Sequence, residues 1–98
     1  MNKLSDSEIA ARLATTPGWS LDGDATTRTF SLPSFPAALV FASAVGHLAE
    51  QANHHPDILI KYRNVTLTLS THDAGGLTAN DFDLAAEIND LLATQRKR

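Results

Sequence analysis

The chain has four histidines, and three of them, His54, His55 and His72, fall where regular structure should end. Glu50 and His54 are four positions apart, a spacing that on a helix brings two side chains together on one face. The carboxylate can then orient the imidazole, and a helix C-terminus favours positive charge at His54. A histidine placed this way suits a general acid. His55 follows directly, and Pro56 disfavours helical geometry at the residue before it. Its ring is therefore expected near the helix end rather than along the helix side. His72 sits in Ser70-Thr71-His72-Asp73, just past a run of alternating apolar residues. If that strand end lies beside the helix end, the three rings converge on one pocket.

The other candidates read as structural. His47 has no partner motif and is expected to be structural or solvated. Asp81, in Thr78-Ala79-Asn80-Asp81, fits a first-turn charge or a capping box with Thr78. Tyr62 and Trp19 read as core or rim aromatics. A zinc site is the competing chemistry, since three histidines and a carboxylate are enough in number. However, Glu-x-x-x-His followed at once by a second His matches no familiar ligand spacing, and only the one-turn separation keeps the option open.

The elements that must position these residues can be read from pattern. A helix is expected over 5–15, with Ser5 and Glu8 as a capping box and Pro17-Gly18 as its stop. Strands over 19–22 and 26–31 flank the turn residues Asp22-Gly23-Asp24. Ser34 can cap a long helix over 35–54, with Pro36 in its first turn and Ala38, Phe41, Val45, Leu48 and Ala52 as its buried stripe. On that helix Ser43, His47, Glu50 and His54 form a polar row. Strands over 58–62 and 65–71 follow, joined at Arg63-Asn64, with Val65, Leu67 and Leu69 alternating against threonines. A loop with Gly75 and Gly76 leads to Thr78, the cap of a last helix over 79–94 with Phe82, Ala85, Ile88, Leu91 and Leu92 on its apolar face. Helices alternating with hairpins give an α+β fold, a four-stranded antiparallel sheet with three helices on one face in the order α-β-β-α-β-β-α. One sheet face or edge is left free, so self-association is expected.

Bulk properties narrow the function classes. A chain of 98 residues makes one domain, 1–98, and neither repeats nor linkers divide it. A net charge of −3 argues against binding nucleic acid by phosphate neutralisation, and the basic run Arg96, Lys97, Arg98 reads as a solvated tail. The absence of cysteine excludes thiol nucleophiles, thiolate metal sites and disulfides. No apolar run is long enough to span a bilayer, and no signal-peptide core is visible, so a cytoplasmic protein is expected.

Taken together, Glu50-x-x-x-His54-His55-Pro56-Asp57, Tyr62, Ser70-Thr71-His72-Asp73, Gly76-Leu77-Thr78 and Asp81 closely resemble the pterin-4a-carbinolamine dehydratases over nearly the whole chain. The resemblance implies a cofactor-free and metal-free dehydratase of 4a-hydroxy-tetrahydropterin. Its product would be the quinonoid dihydropterin, in the recycling of tetrahydrobiopterin-type cofactors. It implies His54 and His72 as the acid and base, with His55 holding the pterin and Glu50 orienting His54. Asn53, Ser70, Thr71, Asp73 and Asp81 would join His55 around the substrate. It also implies a homodimer or homotetramer that joins sheets across subunits, with no direct contact to nucleic acid or membrane. Asn53 stands where some members carry aspartate, and Ile58 where animal members carry tryptophan. The alternatives are a non-catalytic interaction or regulatory module on the same fold, and a metal-dependent hydrolase using the same histidines.

Overall fold

The computed structural model describes residues 2–96 of the chain, and the side chains as far as Leu91. The expected roles of Leu92 and of the basic run from Arg96 to Arg98 lie outside the described residues. The first helix, α1 (Asp6–Leu13), begins where Ser5 caps it: the Ser5 hydroxyl accepts from the Glu8 N–H while the Glu8 carboxylate accepts from the Ser5 N–H. These two bonds satisfy two of the otherwise orphaned groups of the first turn. α1 buries no residue fully and ends before Pro17 is reached.

Strands β1 (Ser20–Asp22) and β2 (Ala25–Ser31) form the expected hairpin, and Gly23 supplies the left-handed backbone that the turn needs. Helix α2 (Phe35–Ala52) starts at Ser34, whose hydroxyl accepts from the Ala37 N–H. It buries Ala38, Phe41, Val45 and Ala49. The expected stripe is corrected at its far end: Ala52 is exposed, Leu48 only half-buried, and Ala49 takes the inner position. The sequence 38, 41, 45, 49 keeps one face of a 3.6-residue helix, and 52 has rotated off it.

Strands β3 (Asp57–Lys61) and β4 (Asn64–Leu69) turn at Tyr62-Arg63 rather than at Arg63-Asn64. Tyr62 takes a left-handed φ of 53° there and is 71 % exposed, so it belongs to neither core nor rim. The four strands are ordered β1-β2-β4-β3, all antiparallel. Val65, Leu67 and Leu69 of β4 point into the core beside Phe30, and the Phe30 and Phe41 rings meet at 4.9 Å. The opposite face carries paired threonines: Thr27 and Thr68 hydroxyls are 3.2 Å apart, Thr29 and Thr66 hydroxyls 2.8 Å. The last helix, α3 (Ala79–Arg96), extends two residues beyond the expected end and buries Phe82, Leu84, Ala85 and Ile88. Trp19 lies in the core, and its indole N–H donates to Asn89 of α3 at 2.9 Å. The result is the expected α+β order of three helices and a four-stranded antiparallel sheet. Among the described residues no helix is long and apolar enough to cross a membrane.

Candidate functional site

The site begins with a backbone detail at the end of α2. Asn53 adopts a left-handed conformation, φ 51° and ψ 43°. Its N–H bonds back to the carbonyl of Glu50, and the His54 N–H bonds to the carbonyl of Ala49 at 3.1 Å. Bonds that step back this way close a helix around a left-handed residue, and asparagine is one of the few non-glycine types that tolerates the position. The helix therefore stops at Ala52, two residues short of the expected His54, and the chain changes direction before either histidine.

This turn redistributes the expected pairs. His54 is not beside Glu50. Its ring points inward and its Nε2 lies 2.5 Å from Oδ1 of Asp81. The imidazole is 11 % exposed and the carboxylate is fully buried. Glu50 instead accepts from Nε2 of His55 at 2.8 Å, in a pair that is exposed on both sides. The i, i+4 argument fails because position 54 is no longer helical. His55 reaches back to the helix side that Glu50 occupies.

Asp81 is placed by the start of α3. Its Oδ2 accepts from the Thr78 backbone N–H and from the Thr71 hydroxyl, each at 2.9 Å. The Thr71 and Thr78 hydroxyls are themselves 2.9 Å apart. Since Thr71 spends its proton on Asp81, Thr78 must donate to Thr71. The carboxylate thus makes the backbone half of the expected capping box and uses its other oxygen on His54. Burial of such a group requires this degree of hydrogen bonding. Expected as a substrate contact, Asp81 instead lies beneath the site, sealed from solvent.

His72 begins a short 3₁₀ turn, His72–Ala74, rather than ending a strand, since β4 stops at Leu69. Thr71 and Gly76 pair across the base of this turn, and Gly75 closes it with φ 77°. From below, the Leu4 N–H bonds to the Leu77 carbonyl at 2.8 Å, and the Lys3 side chain lies where a Cβ on Gly76 would be, within 2.9 Å. The imidazole of His72 is exposed and makes no hydrogen bond within the described residues.

The helix end and the 3₁₀ turn face one another. His54, His55 and His72 line one open cleft with Asn53, Ser70, Thr71 and Asp73. A second cleft shares His55, Ser70 and His72 and continues to Asp24, Asp57 and Thr68. All the expected site residues except Glu50 and Asp81 line the first cleft; those two flank it, one outside and one underneath. His47 is exposed on α2 and lines neither. Among the described residues no three histidine or carboxylate side chains are grouped to hold a metal ion.

Sequence reasoning missed the partner of His54 and the threonine pair behind it. The capping-box spacing Thr78-x-x-Asp81 was legible, but it speaks for only one carboxylate oxygen.

Fold and cleft together define an α+β protein with a histidine-lined site open to a small molecule. The pterin 4 alpha carbinolamine dehydratase family profile matches residues 2–91, and the chain belongs to this family. A relative from Roseiflexus castenholzii, provisionally named as a pterin-4-alpha-carbinolamine dehydratase, is 56 % identical over 91 % of this chain and 96 % of its own. A similarly named protein of Nocardia farcinica is 52 % identical over 90 % of this chain and 93 % of its own. Among solved structures, a transcriptional coactivator/pterin dehydratase from Brucella melitensis superposes with a TM-score of 0.86. It is 35 % identical and aligns over 91 % of this chain and 97 % of the Brucella chain.

Proposed function

We propose that this protein is a 4a-hydroxy-tetrahydropterin dehydratase working by histidine acid–base catalysis in tetrahydrobiopterin-type cofactor recycling. The observation that carries the reading is the meeting of His54, His55 and His72 in one cleft, with a buried carboxylate behind one of them. The reaction removes the 4a-hydroxyl and the N5 proton together as water. One imidazolium gives a proton to the departing hydroxyl as the C4a–O bond breaks. A second, neutral imidazole takes the N5 proton as the C4a=N5 bond forms, and the two histidines re-equilibrate with solvent. His54 and His72, which line the same cleft, are the pair for these roles, while His55, held by Glu50, contacts the pterin. Asn53, Ser70, Thr71 and Asp73 supply polar groups around it.

The whole chain acts as one domain in the cytoplasm, as a homodimer or homotetramer. Support for assembly comes from the open edge of β3, where Ile58 and Leu59 are exposed, and from Phe35, Leu39 and Val40, exposed on α2.

The test is stopped-flow absorbance of freshly generated 4a-hydroxy-tetrahydropterin. Wild type should accelerate its breakdown, and His54→Ala and His72→Ala should each reduce turnover by roughly ten- to a thousandfold while remaining folded. A folded wild type that gives no acceleration defeats the reading. It would favour instead an interaction module, the second role borne by the Brucella relative, which is described as both coactivator and dehydratase.

A further inference from the structure

We infer that Asp81 is a positioning residue that fixes the tautomer of His54, so that Nδ1, not Nε2, is the nitrogen that exchanges protons with the substrate. The inference rests on the dehydratase reading for its kinetic consequence, but its structural half stands alone.

Most of the polar atoms around His54 are already committed. Oδ2 of Asp81 accepts from the Thr78 N–H and the Thr71 O–H. Thr71 is in turn held by the Thr78 hydroxyl, so the carboxylate cannot rotate without breaking both bonds to donors that are themselves held in place. Its remaining oxygen, Oδ1, faces Nε2 of His54. A carboxylate only accepts, so Nε2 must carry the hydrogen. No described polar side-chain atom is both buried and unpartnered. Nδ1 of His54 makes no hydrogen bond within the described residues, and since it is not both buried and unpartnered it is the nitrogen that opens to the cleft that His54 lines. In the neutral ring Nδ1 is a bare acceptor. In the charged ring it carries the transferable proton, and the charge is shared with Asp81. Both states of an acid–base cycle are thus run through Nδ1 while Nε2–H stays in place, the second-partner control of a histidine tautomer seen in other catalytic pairs.

The same geometry says what Asp81→Asn does. The Thr78 N–H and Thr71 O–H still need an acceptor, so the amide oxygen takes the Oδ2 position and the amide NH₂ faces Nε2. Nε2 must then accept, which drives the neutral ring to the Nδ1–H tautomer, the wrong one for taking a proton at the cleft.

The experiment combines ¹⁵N-histidine NMR with stopped-flow kinetics on the full chain. In wild type, neutral His54 should show a protonated Nε2 and a bare Nδ1. In Asp81→Asn the two should exchange, and kcat should fall by about 10²- to 10⁴-fold with KM within a few-fold, in line with tautomer loss elsewhere. A wild-type His54 protonated at Nδ1 when neutral overturns the proposal, and needs no variant that might fail to fold. A folded Asp81→Asn protein with wild-type kcat, while His54→Ala is impaired, overturns it too and leaves the dehydratase reading standing. No acceleration by wild type would defeat that reading instead, and the NMR result would still decide the tautomer.

Discussion

His54 and His55 are neighbours in the chain, each hydrogen-bonded through Nε2 to one carboxylate, yet they inhabit different environments. His54 meets a fully buried aspartate that two other bonds hold in place, and is itself 11 % exposed. His55 meets Glu50 with both side chains largely in water, 60 % and 79 % exposed. A charge pair in water is screened by solvent and pays side-chain entropy to hold two flexible groups together. A buried pair has neither relief nor freedom, so removing one partner strands the other. The same two chemical groups, imidazole and carboxylate, therefore do different work: one pair fixes a ring, and the other leaves its ring adaptable.

The two pairs should differ most in what they contribute to stability. Asp81→Ala strands the Thr78 N–H, the Thr71 hydroxyl and Nε2 of His54 together, and should destabilise the fold by about 3 kcal/mol in urea denaturation. A loss under about 1 kcal/mol would mean that the two pairs are energetically alike. Glu50→Gln, by contrast, should shift stability by less than about 0.5 kcal/mol. The same variant should leave kcat within a few-fold and act mainly on KM, because His55 stays in the cleft without its carboxylate. Smallest is the effect at Glu8, a fully exposed carboxylate that serves as an outside reference. The Ser5 N–H, then the Ser5 hydroxyl, hold Glu8 below the usual carboxylate range. A lowered folded value means that its contribution is present above the unfolded value and is lost as pH falls through the folded one. Thermal melts of Glu8→Gln should thus lie slightly below wild type at neutral pH, and the gap should close on acidification through the carboxylate range. A gap that persisted in acid would assign the loss to the amide rather than to the charge.

What was legible in the sequence was what local pattern encodes. The capping box at Ser5 and Glu8, the alternation of Val65, Leu67 and Leu69, the proline in the first turn of α2 and the turn at Gly23 each act within a few residues, and each placed its element correctly. The convergence of His54, His55 and His72 was legible only as a condition, that the chain after β4 should lie beside the end of α2, and the two do meet in one cleft. The carboxylate partners were not legible. The pairing of Glu50 with His54 assumed that the helix continued to 54, and a single left-handed residue at Asn53 invalidated it. Asparagine is favoured in turns and at both ends of helices, so its type alone did not say which conformation it takes here. The partnership of His54 and Asp81 joins residues 27 positions apart and depends on how α3 enters the site, which no local pattern specifies.

That left-handed joint has a consequence for how the chain can vary. Asn53 sorts two consecutive residues into opposite surroundings, the first toward the interior and the second toward water. Removing one residue between Ala52 and His54 would bring the second histidine into the inward position facing Asp81 and leave the first without a buried partner, while adding one there would carry both histidines past it. Surface loops elsewhere in a fold absorb such length changes at little cost, but in this four-residue connection between α2 and β3 the count sets which histidine faces inward. In the vocabulary of sequence evolution it is a reading frame: its length is constrained along with the histidines it carries.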